Sequence, residues 1–331
     1  MGLTHASDSI RGSEMGPLEG IKILDFTQAH AGSLATMLLA DFGAEVIKIE
    51  RAGVGDLARY WEPIKNDESG YFAFLNRNKK SISLDANSAE GKEIIFTLVK
   101  EVDVVCENFK YGSMERLGFA YETFKNINPK IIYASLNGFG QTGVMKNTIG
   151  LDLQLQAMSG IMAETGKDAG IPIKIGAALG DHISGIYMAL AVNLALINMK
   201  KNGVGQRIDI SILDSLCSIF EEHVILEKSV EEISGDKDTS VSKVCTVSEA
   251  MTSVQLLSRD MLHSSKTCNL DEVKFPGIPI KLEKTAGEIR FRAPIRGEHT
   301  KYYLERIGYE TDDIESLVTN GIIECAEGER V

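Results

Sequence analysis

Ile183, Ile186, Tyr187, Leu190, Leu194 and Ile197 recur at helical spacing with no proline between them, which predicts a helix over 183–199. The apolar stretch from Ile186 to Ile197 is interrupted by Asn193 and is too short to span a bilayer, so it reads as a buried core helix. Ahead of it stands Gly176-Ala-Ala-Leu-Gly-Asp181-His182. An aspartate at a helix start has free backbone amides around it, and the positive end of the helix dipole favours its ionised form. Two readings of Asp181 stay open at this point: a helix N-cap, or a carboxylate nucleophile facing a cleft.

The first half of the chain alternates strand and helix patterns. Gly20 to Phe26 reads as a strand, Gly32 to Asp41 as a helix, and Val46 to Glu50 as the next strand. Ser81 to Asp85 is strand-like and is followed by a helix from Ser88 to about Glu101; Asp103 to Glu107 and Lys130 to Leu136 are strand-like again. Strands separated by helix-length segments predict βαβ units and a doubly wound parallel sheet of the α/β class. Ligands of such sheets bind beyond the carboxyl ends of strands, here the turns after Phe26, Glu50, Glu107 and Leu136.

Composition narrows the chemistry. The 331 residues carry a net charge of −12, which disfavours nucleic acid or an anionic membrane as a partner, so an anionic ligand needs a local basic pocket. Met1 to Pro17 is polar and has no signal-peptide core. Cys106, Cys217, Cys245, Cys268 and Cys325 form no C-x-x-C pair, so neither a disulfide framework nor a zinc site is indicated and a reducing cytoplasm fits; Cys106, in a strand-like run, reads as buried. Where a dinucleotide-binding sheet has G-x-G-x-x-G, this chain has Thr27-Gln-Ala-His-Ala-Gly32, and the P-loop, G-x-S-x-G and His-Glu-x-x-His motifs are absent. No nicotinamide, flavin or metal is expected.

The turn residues carry a resemblance. Leu18 to Gly32 and Leu39 to Glu50, then Gly55-Asp56 with Arg59, Asn76 to Asp85, Glu107-Asn-Phe109 with Arg116, and Ser135 to Gly143 follow in order. Gln156 to Gly160, Gly176 to Asp181, Gly203 to Arg207 and Ala293 to Thr300 continue the series. Together they resemble the family III CoA-transferases, relatives of the 2-methylacyl-CoA racemases. The resemblance implies that an aspartate carboxylate exchanges CoA between an acyl-CoA and a carboxylic acid, through a mixed anhydride and an aspartyl-CoA thioester. By match to the G-A-x-x-G-D motif that aspartate is Asp181, preceded by Gly180, with helix-start amides nearby as candidate oxyanion donors.

CoA is held in this family by the early turns. The resemblance assigns CoA contacts to His30, Arg51, Asn108, Phe109 and Arg116, and places Gln28 and Asp152 beside the thioester site. Lys79 and Lys80 read either as a solvated basic turn or as ligand contacts. The racemases carry Gly-His-Asp where this chain has Gly150-Leu-Asp152; an aliphatic Leu151 cannot transfer a proton, which leaves racemase as the alternative, and His182 lies on a different element.

Family members are substantially longer, with a second domain that includes a glycine-rich loop absent from this chain. The division expected is a tail over 1–17, a large CoA-binding domain over 18–230, a reduced small domain over 231–275 and a segment over 276–331 returning to the large domain. The resemblance implies an interlocked homodimer. The shortening opens another reading, a non-catalytic subunit of a heteromer with a longer homologue.

Overall fold

The computed structural model describes residues 16–219, 257, 261–265, 273–282 and 285–326. Their centre is a seven-stranded sheet. It contains β1 (Lys22–Asp25), β2 (Glu45–Arg51), β5 (Lys79–Leu84), β6 (Val104–Glu107), β7 (Ile132–Asn137), β8 (Arg207–Ser211) and β11 (Ile323–Glu324), in the order β11-β5-β2-β1-β6-β7-β8. Every pairing is parallel except that of β11 with β5. The mixed α/β fold with a largely parallel sheet matches the alternation read from the sequence, with strand ends moved by at most two residues.

Alternation along each strand builds two apolar layers. Ile23, Val46, Val104, Cys106, Ile132 and Ala134 face one side, where α1 (Ala31–Asp41), α6 (Asp152–Met158), α8 (Leu179–Asn202) and α9 (Ile212–Cys217) pack. Leu24, Ile47, Val105 and Tyr133 face the other, covered by α3 (Ala89–Val99), α4 (Ser113–Leu117), α5 (Tyr121–Ile127), α10 (Thr300–Arg306) and α11 (Thr311–Thr319). Both faces are filled, as a parallel sheet requires. The smaller elements are α2 (Gly70–Leu75), α7 (Ile161–Thr165) and two antiparallel strand pairs, β3 (Ile64–Lys65) with β4 (Glu68–Ser69) and β9 (Leu262–Ser265) with β10 (Val273–Pro276).

Helix α8 differs from its sequence reading in two ways. It runs for 24 residues, past both ends of the expected 183–199, and by length and composition alone would reach across a membrane. Nor is it buried all round. Met188, Val192 and Leu196 pack against α1 and the sheet, whereas Ile186, Leu190, Leu194 and Ile197 are each at least half exposed. The sequence reading took the face of Ile186, Tyr187, Leu190, Leu194 and Ile197 as the buried one, and the fold buries the opposite face instead.

The C-terminal segment packs on the large sheet. Asn78 Oδ1 accepts the backbone amides of Arg290 and Phe291 at 2.7 and 2.8 Å, and Thr300 Oγ1 accepts the amide of Ser83 at 3.0 Å. Residues 1–15 of the expected tail and most of the 231–275 segment lie outside the described residues.

Candidate active site

Chain order places the switch point of the sheet between β1 and β6, because the strands leave β1 toward β2 and β5 and resume beside it at β6. The turn after β1, Thr27 to His30, therefore faces the turn after β6. The two are tied together: Asn108 Oδ1 accepts the amide of Gln28 at 2.8 Å and Asn108 Nδ2 donates to the Gln28 carbonyl at 2.7 Å. A Cβ on Gly32 would lie 2.5 Å from Thr27 Cγ2 and 3.1 Å from Asn108 Cγ, so this junction needs glycine.

Buried charges brace the same turn from below. Lys48 Nζ donates to the Thr27 carbonyl at 2.6 Å and pairs with Asp56 at 2.7 Å. Asp56 Oδ1 accepts the amide of Ala29, a non-glycine residue held at φ +61°. Lys79 Nζ reaches Asp25, Thr36, Asn76 and the Ser33 carbonyl at 2.8 to 3.1 Å. Burial would raise Asp25, but Lys79, Lys48 and Thr27 outweigh it and hold the carboxyl low; burial pulls Lys79 down to about 8 despite Asp25. Lys79 is thus neither a solvated turn nor a ligand contact. It stands fully buried in β5, and the sequence misled because a lysine on a buried strand is rare. Lys80 lies 4.7 Å from the centre of the Phe291 ring.

The start of α8 corrects the expectation for Asp181. The N-cap is Ala178, and Asp181 lies three residues inside, in the first turn. The α8 amides are capped from another helix: Asp152 Oδ1 accepts from Gly180 N at 2.8 Å and from Asp181 N at 3.4 Å. Those amides are therefore engaged, not free to serve as oxyanion donors. Gln156 completes the support by donating to Asp152 Oδ2 at 2.6 Å while accepting the amide of Ile175 at 3.2 Å. A Cβ on Gly180 would sit 2.8 Å from Ile212 and 2.9 Å from Asp152, which explains the glycine there. The helix dipole does not keep Asp181 ionised with ease. Burial, with the negative charge of Asp152 added, pushes its carboxyl up to about 7.

Two histidines that the sequence left on separate elements meet beside it. His30, at the N-cap of α1, places Nε2 2.8 Å from Nδ1 of His182 on α8. The other His30 nitrogen, Nδ1, hydrogen-bonds the hydroxyl of Tyr71 on α2. The helix starts can come this close because Gly185 lets α8 approach α1: a Cβ there would lie 2.7 Å from the Ala31 carbonyl. Burial, with His182 alongside, lowers His30 to about 4. Burial also raises the Tyr71 phenol, and Asp181 and then Asp152 add to it, to about 12. Tyr71 was missed for want of any motif around it.

The remaining predicted residues are spread along the carboxyl edge. Arg51 ends β2 with its side chain exposed, and Arg116 is exposed on α4, donating to Ser113 Oγ at 2.8 Å. Phe109 is half-buried against the apolar layer of α4 and α5. Its amide donates to Glu107 Oε2 at 2.8 Å, and burial raises that carboxyl to about 7. The structure thus gathers His30, Asp152, Gly180 and Asp181 into one cluster, ties Gln28 to Asn108, and leaves Arg51 and Arg116 outside the cluster.

A CaiB/BaiF family protein from Brucella suis superposes with a TM-score of 0.80 at 26% identity, over 89% of this chain and 100% of its own. A Mycobacterium tuberculosis protein shares the fold with a TM-score of 0.76 at 24% identity, over 87% and 99%. The α/β architecture is therefore that of the CaiB/BaiF proteins. The model of CoA-transferase family III matches residues 18–235 and 226–300, and the chain belongs to that family. It is similar to an acyl-CoA transferase of Fusarium pseudograminearum, 43% identical over 63% of this chain and 48% of the relative. It is also similar to a formyl-CoA:oxalate CoA-transferase of Afipia carboxidovorans (41%, over 61% and 48%) and an acetyl-CoA:oxalate CoA-transferase of Acetobacter aceti (41%, over 64% and 54%). The chain spans about half the length of these curated relatives.

Proposed function

We propose that this protein is a cytoplasmic CoA-transferase that moves CoA from an acyl-CoA to a carboxylic acid, with Asp181 as nucleophile. The observation that carries the reading is the cluster at the start of α8, where a carboxylate held by its own helix stands with Asp152, His30, His182 and Tyr71 at the meeting of four helices. The Asp181 carboxylate attacks the thioester carbonyl and forms a mixed anhydride, releasing CoA thiolate. The thiolate attacks the aspartyl carbonyl and expels the donor acid as its carboxylate, leaving an aspartyl-CoA thioester. The acceptor carboxylate then repeats the two steps in reverse order and restores Asp181. Bonds of similar energy are exchanged throughout, which suits covalent catalysis by a carboxylate.

CoA lies, in this reading, along the carboxyl edge, with Arg51 and Arg116 available to its phosphates in the fork geometry that guanidinium offers. Phe109 and the Gln28–Asn108 tie form the wall, and His30 borders the thioester. The acid is small or aliphatic, which the formyl-, acetyl- and oxalate-named relatives support. The racemase alternative finds no proton-transferring group at position 151, where Leu151 stands exposed at the N-cap of α6.

A second reading, that activity requires another chain, has its own support. The chain spans about half of its relatives, and the outer face of α8 leaves Ile186, Leu190, Leu194 and Ile197 uncovered. A second copy in an interlocked dimer, or a longer homologue, would cover such a face and complete the 231–275 small domain. Turnover of the purified chain on panels of acyl-CoA donors and carboxylate acceptors tests both readings, with intact-mass detection of a CoA adduct. Transfer that Asp181→Ala abolishes, with the adduct mapped to the Asp181 peptide, supports the transferase. A folded chain that binds CoA and neither transfers nor forms the adduct favours the need for a partner.

A further inference from the structure

Helices α1 and α2 are joined at both ends. Where they start, Tyr71 on α2 hydrogen-bonds Nδ1 of His30, the N-cap of α1. Where they end, Arg77 grips Asp41, the last residue of α1, in a fork: Nε at 3.1 Å and Nη2 at 2.7 Å. Asn78 Nδ2 donates to the same carboxylate at 2.8 Å. The Arg77 side chain is buried, and two aromatic rings cover its guanidinium. Its guanidinium carbon lies 5.2 Å from the centre of the Phe74 ring on α2 and 5.5 Å from that of Phe275 on β10, and the two rings are 6.1 Å apart. Phe275 is itself buried and stands directly opposite His263 of β9, ring to ring at 5.3 Å.

Tyr71 and Phe74 are three residues apart on α2 and share a face, so a shift of one carries the other. Tyr71 bears on the reacting centre by direct contacts. Its partner His30 places Nε2 2.8 Å from His182 Nδ1, and His182 directly follows Asp181 in the first turn of α8. The pair β9–β10 therefore reaches the turn of Asp181 through α2. Resting on the transferase reading, we propose that Phe275 is a positioning residue for the reaction: by closing over Arg77 and Phe74 it seats α2, so that Tyr71 holds His30 and His182 beside Asp181. Phe275 touches no reacting atom. Its removal leaves the Arg77–Asp41 fork in place, uncovers the guanidinium and frees the end of α2 to shift. A displacement of about 1 Å at a reacting centre, passed on from a distant substitution, can cost up to about 100-fold in rate.

Trp61 supplies a reporter that does not depend on turnover. It is the one tryptophan of the chain, its ring stands edge-on to Tyr71 at 5.1 Å, and its carbonyl accepts the hydroxyl of Ser69, the N-cap of α2, at 2.6 Å. The test uses the full-length protein, with urea unfolding to establish that each variant is folded. Phe275→Ala is expected to lower kcat by about tenfold, to leave KM for acyl-CoA and Kd for CoA within about twofold, and to shift the native-state emission of Trp61. Phe275→Tyr keeps a ring over Arg77 and is expected to keep both kcat and emission near wild type. Tyr71→Phe should lower kcat, and adding Phe275→Ala to it should cost no more than about twofold further, because the two act along one route. A folded Phe275→Ala with unchanged kcat, or with lowered kcat and unaltered Trp61 emission, overturns the proposal. So does full additivity of the two substitutions, or a rise in Kd for CoA that matches the fall in kcat. A wild-type chain that binds CoA and transfers none overturns the transferase reading, and the role in the reaction with it, while Trp61 emission in Phe275→Ala decides separately whether β10 seats α2.

Discussion

Asp152 caps the helix that carries Asp181: its Oδ1 accepts from the Gly180 amide at 2.8 Å and from the Asp181 amide itself at 3.4 Å. One carboxylate thereby takes the stabilisation that a helix start offers to negative charge, and the other stands beside it with its pKa raised. The arrangement makes Asp181 a more basic carboxylate than an exposed aspartate.

Asp152→Asn separates these two effects. The amide oxygen can still accept from Gly180, but the charge that raises Asp181 is gone. Activity should need ionised Asp181, so the rate rises with pH through the Asp181 pKa, about 7 in the native protein. In the variant that acid limb moves to lower pH. Stability falls by about 1 kcal/mol because Gln156 Nε2 loses the nearer of its two acceptors and keeps only the Ala177 carbonyl at 3.2 Å. The pH–rate profile of CoA transfer checks this, and a limb that stays or climbs counts against the assignment of the limb to Asp181.

Asp181→Asn should abolish transfer and stabilise the fold. An aspartate whose folded pKa is raised from 3.8 to about 7 binds more protons folded than unfolded across that window. Stability from this group is complete below about pH 4 and is lost as pH rises through 7. The asparagine variant avoids that loss, so it gains on the order of 4 kcal/mol at pH 8 and little at pH 4. Urea unfolding at the two pH values measures the difference. Equal gains at both would show that packing, not ionisation, is responsible.

Much of this was legible in the sequence, and the failures have physical causes. The order of strands and helices followed from alternation and turn residues, since Ile23, Val46 and Val104 must face opposite their neighbours Leu24, Ile47 and Val105. Asp181, Gly180 and Asp152 were found through motif order. Their division of labour was hidden, because capping across α6 and α8 is a contact between residues about 28 apart. His30 and His182 were both noticed, yet 152 residues separate them and nothing local announces the pairing. Lys79 was misread because charge on a strand suggests solvent, while here Asp25, Thr36 and Asn76 satisfy the ammonium internally.

Lys79→Met should therefore be costly even though it adds apolar bulk to a buried site. It removes the principal partner of Asp25, a carboxylate with no exposure, and leaves Thr36 and Asn76 without their cation. Breaking one side of a buried ion pair costs about 3–5 kcal/mol. Because the Asp25 network braces the turn that carries His30, CoA transfer should fall with stability. Chemical denaturation gives the first number, and a loss below about 1 kcal/mol would show that Lys48 alone suffices for Asp25.

Gly185→Ala tests how closely the site depends on the crossing of α1 and α8. The added Cβ would stand 2.7 Å from the Ala31 carbonyl and 3.1 Å from Leu34, and the first of these is backbone that cannot rotate away. The helices must part by several tenths of an ångström, at a cost of about 1–3 kcal/mol for overpacking. Ala31 directly follows His30, and Gly185 lies one turn beyond His182, so parting the helices lengthens the His30–His182 contact. Binding of CoA along the carboxyl edge, where Arg51 and Arg116 lie, should be nearly unchanged. The expected pattern is a fall in kcat with little change in the dissociation constant of CoA by calorimetry. A fall in CoA affinity with kcat preserved would mean that the crossing shapes the nucleotide site and not the reacting centre.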